Sequence, residues 1–349
     1  MNYLTSTLRA ATGVAVASLV AAPLAGCSGA SPALPSAPIS SARVQTSVTA
    51  PDSTTSQIQP DGKKKKQKQL LFVSDNENNR VLVYNAASKT QNPSPVRTIT
   101  NGIQGPNGLA TDESGNLYVA NYIGSTVTVY APNSSTPKLT IANGVSGPFD
   151  VKVDAFGNVY VANDPLYGGI PFIQLYPAGS TVPSYTWTAP TKGTTISGIA
   201  LLDPTIKNQT AIYALGYTLN GSGFATGFGL SCFPGTATCL TLGYNFGQTG
   251  GIAVSESPGL SKAFQFLAVD QYIPGVDIIT PGGSTTQLVT GGTPEFITLN
   301  AADNQLFVAD RFYGRVVEYS FPAGKEINTF SPGGAQVYGV ATSPAGTYH

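Results

Sequence analysis

The sequence predicts an all-β protein, a six-bladed β-propeller of four-stranded blades over residues 70–349, closed by the C-terminal strand joining the N-terminal blade. Three observations predict it. A short apolar run ending in a polar residue returns six times, and its copies start about 40 to 54 residues apart, the spacing of propeller blades. The composition is rich in turn formers and poor in charge, with 39 glycines, 26 prolines and 10% charged residues.

The recurring run is Leu71-Phe72-Val73-Ser74-Asp75, then Leu117-Tyr118-Val119-Ala120-Asn121, Val159-Tyr160-Val161-Ala162-Asn163 and Leu306-Phe307-Val308-Ala309-Asp310. Phe266-Leu267-Ala268-Val269-Asp270 is a near match and Ile212-Tyr213-Ala214-Leu215-Gly216 a degenerate one. Runs of β-branched and aromatic residues that stop at a polar turn are strands. A second strand follows each, at 81–84, 127–130, 173–176, 228–233, 276–280 and 316–319, and in four units it ends on tyrosine. A third follows at 96–100, 139–142, 185–189, 240–244, 287–290 and 327–330. After a glycine-rich approach comes a fourth, at 108–112, 150–154, 198–203, 251–256, 296–300 and 339–343.

The order of strands at the two ends supports closure. The body begins with the run at 71–75 and ends with an inner-type strand at 339–343 that has no blade of its own. That last strand is expected to complete the first blade from the inside.

The segment from Gly105-Pro106-Asn107-Gly108 through Asp112-Glu113-Ser114-Gly115-Asn116 to Asn121 resembles an NHL repeat, and residues 147–163 repeat the pattern. Agreement is close in the first two full repeats, recognisable in the last two and weak over 190–262. The resemblance implies a six-bladed propeller. It also extends to lyases that work through histidines, and the one histidine here, His349, is the final residue. Such an activity is not expected, and no Ser-His-Asp or Cys-His arrangement can be built around a chain end.

The N-terminus reads as an export signal over residues 1–26, with Arg9 followed by a small-residue and apolar run too short for a permanent membrane span. Leu24-Ala25-Gly26-Cys27 resembles the lipobox of bacterial lipoproteins, which implies cleavage before Cys27 and lipidation of its thiol. An ordinary signal peptide with Cys27 incidental is the alternative. Residues 27–69 form a Ser-, Ala- and Pro-rich tether with few large apolar residues, ending in the lysine run 63–68. That run either rests on an anionic membrane surface or is a solvated boundary. The chain is thus expected to be exported and held to an envelope membrane by its lipid alone, facing the periplasm or the exterior, as a monomer.

Cys232 and Cys239 flank a turn-like Phe-Pro-Gly-Thr-Ala-Thr spacer and, outside the cytosol, are expected to form a disulfide. Two free thiols are the alternative, and a metal site is disfavoured without further Cys or His. Formal net charge is zero, and no basic cluster lies in the body, so nucleic acid is not expected as a partner.

The segments Asp112 to Asn116 and Asp154 to Asn158 space oxygens closely enough to suggest metal loops, but their recurrence at one hairpin favours turn chemistry. The strand-ending Asp75, Asn121, Asn163, Asp270 and Asp310 have the same reading. Their loops share a face with the approaches to the inner strands, where propellers present ligands around the central channel. There Asn107, Asp150 and Glu295 are the central candidates, for a ligand or for a metal, with Tyr122, Tyr167, Arg311 and Tyr313 further out. No cofactor is required. An oxygen-rich mouth could hold Ca²⁺ or another divalent cation, and it would then resemble the six-bladed, metal-dependent lactonases of the gluconolactonase type. Those enzymes converge more oxygen ligands on one ion than can be found here. The competing class is a binding or scaffolding module for a protein, peptide or glycan, in which tyrosines supply contact area and a polar tip.

Overall fold

A computed structural model describes residues 68–345 apart from 167, 190–193, 203–209, 220–224, 234–235, 237–238, 243–247, 257–263, 272, 280–284 and 334–335. The export signal, Cys27, nearly all of the tether, Tyr167 and His349 lie outside the described residues. Among those described, no helix is long and apolar enough to cross a membrane.

Six antiparallel sheets of four strands make the propeller. Its innermost strands are β4 (Pro106–Thr111), β8 (Pro148–Val153), β12 (Thr194–Leu202), β16 (Thr249–Glu256), β20 (Pro294–Leu299) and β24 (Val337–Ser343). Next outward come β1 (Leu70–Asp75), β5 (Leu117–Asn121), β9 (Val159–Asn163), β13 (Ala211–Leu219), β17 (Phe264–Asp270) and β21 (Gln305–Asp310). The third rank is β2 (Arg80–Asn85), β6 (Thr126–Tyr130), β10 (Phe172–Tyr176), β14 (Ala225–Cys232), β18 (Gly275–Ile279) and β22 (Arg315–Ser320). The rim is β3 (Arg97–Ile99), β7 (Pro137–Ile141), β11 (Tyr185–Thr188), β15 (Leu240–Leu242), β19 (Thr285–Thr290) and β23 (Glu326–Phe330).

Closure takes the form expected from the chain ends. The first blade runs β24-β1-β2-β3, with Leu70 opposite Ser343 and Val73 opposite Val340. Each remaining blade is four consecutive strands. The C-terminal strand is therefore held to the N-terminal blade by backbone hydrogen bonds, and packing joins that blade to the sixth.

A separate apolar cluster fills each of the six interfaces between neighbouring blades. At the seam, Leu71 and Tyr84 of the first blade meet Phe307 and Phe330 of the sixth, with the Tyr84 and Phe330 rings 5.4 Å apart and edge to face. Fully buried rings of this kind contribute about 1.5–3 kcal/mol each relative to exposure. Tyr130 and Tyr176, which end β6 and β10, occupy the equivalent positions and donate their hydroxyls to the carbonyls of Asn101 and Asn143 at 2.6 and 2.8 Å. The tyrosines that end these strands belong to the core.

The inner strands begin about two residues earlier than the sequence predicts, and a β-bulge is the reason. In β4, β8, β12, β16, β20 and β24 alike, pairing with the second-rank strand breaks register at one level, between Pro106 and Leu109 in β4 and between Pro148 and Asp150 in β8. A bulge of this kind bends its strand and locally increases its twist. Crowding there explains the glycines: a Cβ on Gly108 would lie 2.7 Å from the Asp150 Cα, and one on Gly198 would lie 2.8 Å from the Gly251 Cα. Gly105 and Gly147, just ahead of two of these strands, take positive φ of 60° and 56° to deliver the chain to the bulge.

The fourth blade, weakest in repeat character, has the longest strands, β12 and β13, of nine residues each. Cys232 ends β14 and is bonded to Cys239, with Cα atoms 4.3 Å apart.

Candidate functional site

The bulges divide the channel into a throat and a mouth. Asp150, on the bulge of β8, points to the axis and is fully buried. Lys152, two residues on and so on the same face of the strand, places its Nζ 2.9 and 3.0 Å from the two carboxylate oxygens. The Val151 and Ile199 amides also donate to this carboxylate, at 2.8 and 3.0 Å. Burial pushes the Asp150 carboxyl above its ordinary range, opposed by Lys152 and the two amides. Phe149 and Phe296 close the same level, with ring centroids 5.8 Å apart. Beneath lies a cavity of about 30 Å³ lined by Lys152, Thr111, Ile252, Ile297 and Leu299. That holds about one or two water molecules.

Above the throat, a second recurring device builds the mouth. The residue just after each strand-ending position of the second rank leans over the inner strand of the next blade. Asn76 donates to the Asn107 side chain at 2.8 Å and to the Pro106 carbonyl at 3.2 Å. Tyr122 meets Phe149 edge to face at 6.0 Å. Gln271 donates to Glu295 Oε2 at 2.9 Å and to the Pro294 carbonyl at 3.1 Å. Arg311 stacks its guanidinium 4.7 Å from the Tyr338 ring centre and approaches Glu295 at 3.8 Å. Asp164 and Tyr217 hold the corresponding positions in the third and fourth blades, with Thr195 facing both. Backbone bonds fix the bases of these loops, from the Tyr122 amide to the Gly105 carbonyl at 2.8 Å and from the Asp164 amide to the Gly147 carbonyl at 2.9 Å.

Electrostatics couple these groups into one site. Burial raises the Tyr122 hydroxyl, and Asp164, Tyr217 and Tyr338 raise it further. Tyr217 is raised by burial and by Asp164 and Glu295, against Thr195 and Gln248. Burial also lifts the Asp164 carboxyl to about 6, with Thr195 opposing. Glu295 is raised by burial and lowered in turn by Arg311 and Gln271. Around this rim the hairpin tips expose Ile123, Ile273, Phe312 and Tyr313, with Phe312 76% exposed.

The sequence candidates divide accordingly. Asn107, Asp150 and Glu295 sit at the inner rim and are buried. Tyr122 and Arg311 are mouth residues. Tyr313 lies outside on its hairpin tip, where Arg315 covers it with the guanidinium 4.9 Å from the ring centre. Lys152, Asp164, Tyr217 and Gln271 were not among the candidates. Three of them carried a signal: Lys152 its two-residue spacing from Asp150, and Asp164 and Gln271 their position one past the polar residue that ends the repeat.

The three oxygen donors proposed for a cation do not fit one as arranged. Asn107 accepts from Asn76, Glu295 from Gln271 with Arg311 beside it, and Asp150 already holds an ammonium where a metal would sit. Among the described residues no group of three or more His, Cys, Asp or Glu side chains could hold a metal ion.

The Asp-x-x-Gly-Asn segments close hairpins on the opposite face. Asp112 accepts from the Asn116 amide at 2.8 Å and from the Tyr118 hydroxyl at 3.1 Å, and Asp154 accepts likewise from Asn158 and Tyr160 at 2.9 and 3.2 Å. Asn121, Asn163 and Asp310 accept from the amides of Gln104, Ser146 and Thr293, tying the end of each second-rank strand to the approach to the inner strand of its own blade.

Fold and site together define a six-bladed propeller whose inner strands carry a buried Asp150–Lys152 pair below an aromatic and polar mouth. Residues 43–143, which in the described structure take in β1 to β7, match the family model described as the SMP-30/Gluconolactonase/LRE-like region. Among solved structures, a chain of the nidogen/laminin complex superposes with a TM-score of 0.59 at 15% identity, over 79% of this chain and 98% of that one. A chain of Kuenenia stuttgartiensis hydrazine synthase gives 0.48 at 17% identity, over 71% and 72%. No curated protein matches the chain in sequence. At these identities the likeness to solved structures is one of fold.

Proposed function

We propose that this protein is an exported, lipid-anchored propeller that acts as a binding module, taking a protein, peptide or glycan of the cell envelope or exterior across the channel mouth. The observation that carries the proposal is the contrast along the axis. The throat is filled by the Asp150–Lys152 pair and two phenylalanines, so a ligand meets only the ring of hairpin residues above it. That ring offers tyrosine faces, amides and charges from several blades, the composition of recognition surfaces. Lys68 and Gln69 lead into β1 at the end away from Asp75, on the face opposite the mouth, so the attachment point leaves the mouth free.

A glycan and peptide array tests it, with three forms of the purified protein: wild type, a mouth variant (Tyr122→Ala with Tyr217→Ala) and an opposite-face variant (Val96→Ser with Phe156→Ser). Binding lost only in the mouth variant is the expected result. Binding lost only in the opposite-face variant overturns the assignment. For the anchor, an alkyne-tagged fatty acid should label the wild type and not Cys27→Ala, and label that survives the substitution refutes it.

The family match over residues 43–143 favours a second reading, a metal-dependent hydrolase of the gluconolactonase type working through the channel. The committed donors at Asn107, Asp150 and Glu295 speak against it. Lactone turnover that requires Ca²⁺ or Zn²⁺ and is lost in Glu295→Gln would establish it in place of the binding-only function.

A further inference from the structure

Cross-strand partners share a face of their sheet, and this fixes the side to which Arg97 points. In the first blade Arg97 of β3 stands opposite Val83, and Val83 opposite Phe72, so the three lie side by side. Phe72, Val83 and Ile99 belong to the apolar cluster between the first and second blades. Arg97 therefore places a charge on a face that the rest of the sheet buries. The fold does not require one there. At the same register the second blade has Leu139 opposite Val129 and the third has Tyr185 opposite Leu175, and both pack against apolar clusters.

The other arginines among the described residues have a carboxylate beside them, Asp75 for Arg80, Asp310 for Arg315 and Glu295 for Arg311. Among those residues no carboxylate pairs with Arg97, and its Nε is shielded from solvent without a hydrogen-bond partner. Burial draws the guanidinium below its ordinary pKa. It lines a cavity of about 270 Å³ between the first two blades, walled by Phe72, Ile99, Leu117 and Tyr130. Lys68, which is exposed, also lines it, and no acidic residue does. Gly115 of the 112–116 hairpin and Ser343 at the end of β24 place the cavity on the face away from the mouth.

We propose that this cavity binds a small organic carboxylate, with its head group on the Arg97 guanidinium and an apolar body of about six carbons against Phe72, Ile99 and Leu117. A guanidinium holds a carboxylate through two parallel N–H donors, and a charged acceptor is what a desolvated donor without a partner lacks. The apolar walls select against a bare inorganic anion. A closed apolar cavity of about 150 Å³ admits benzene, so the larger volume here has room for such a body together with its carboxylate.

Calorimetric titration of the purified protein tests this with hexanoate, with hexanamide as the uncharged control and with acetate as the control that lacks an apolar body. Hexanoate should bind about ten-fold or more tighter than either control. Arg97→Leu, which installs the residue type of the second blade, should melt no lower than the wild type and lose about ten-fold or more in hexanoate affinity. Ala131→Phe narrows the cavity with the guanidinium left in place and should weaken hexanoate as well. Lys325→Gln removes an exposed positive charge from the sixth blade and should match the wild type. Hexanoate bound no more tightly than hexanamide or acetate overturns the inference, and so do equal affinities in wild type and Arg97→Leu or Ala131→Phe. An Arg97→Leu protein that melts well below the wild type also overturns it, because the guanidinium would then be a structural group. Array binding at the mouth is independent of each of these results.

Discussion

Asp150 and Asp164 belong to one blade, at the inner end of β8 and just past the end of β9, and they have opposite fates. Asp150 is buried in the throat with its oxygens filled by Lys152 and two amides, while Asp164 stands half-buried at the mouth, where among the described residues no basic side chain forms an ion pair with it. The difference teaches where this propeller is built to be rigid and where it can accept something. A satisfied buried pair on β8 is also tied to β12 through the Ile199 amide. The carboxylate at the mouth is half-buried with Thr195 as its side-chain partner.

The largest effect should come from breaking the throat. Lys152→Met leaves the Asp150 charge buried without its cation and should cost about 3–5 kcal/mol by chemical denaturation. Adding Asp150→Asn should recover most of that loss. A silent Lys152→Met would mean that Asp150 is held neutral and that the pair is not what closes the channel.

Next, Gly108→Ala should cost about 1–3 kcal/mol, because the new Cβ meets the Asp150 backbone and side chain at the most crowded level of the axis. Melting of this variant against Tyr122→Ala separates throat from mouth, since the mouth change should leave stability closer to wild type.

The third test uses pH. The Asp164 carboxyl is lifted from 3.8 to about 6, so below pH 4 it is protonated in both the folded and unfolded chain and has no effect on stability. Between about pH 4 and 6 the unfolded chain releases its proton first, and stability falls as pH rises. Above that range the penalty is constant. Discounted for its partial exposure, it amounts to about 1–2 kcal/mol. Asp164→Asn should therefore be more stable than wild type at pH 7.5 and indistinguishable from it at pH 3.5. Parallel pH profiles for the two would show that Asp164 is well solvated.

The smallest effect is expected at Arg311, whose contact with Glu295 is long and whose side chain is nearly half exposed. Arg311→Ala should change stability by less than about 1 kcal/mol.

The fold was legible because a propeller repeats its core pattern in the chain. Runs such as Leu117 to Asn121 mark the second-rank strands, and the leftover strand at 339–343 reveals how the ring closes. The bulges were not legible, since a break in register follows from how six strands crowd a common axis and leaves no local composition beyond glycine. The site was partly legible for a related reason. Asn107, Asp150 and Glu295 stand out as polar residues beside inner-strand glycines. Whether each points to a ligand or to a neighbour depends on contacts between blades, such as Asn76 with Asn107 and Gln271 with Glu295, that join distant stretches of chain. Tyr217 was hidden because its blade has lost the polar residue that marks the strand end elsewhere, with Gly216 in its place.

Hydrogen exchange, with and without the tightest ligand found on the array, tests the division between throat and mouth most directly. Added protection is expected in the loops at 122–125, 164–166, 271–274 and 311–314, with the inner strands and the opposite-face hairpins at 112–116 and 154–158 unchanged. Protection that appears instead on the opposite face, or in the clefts between blades, would contradict it.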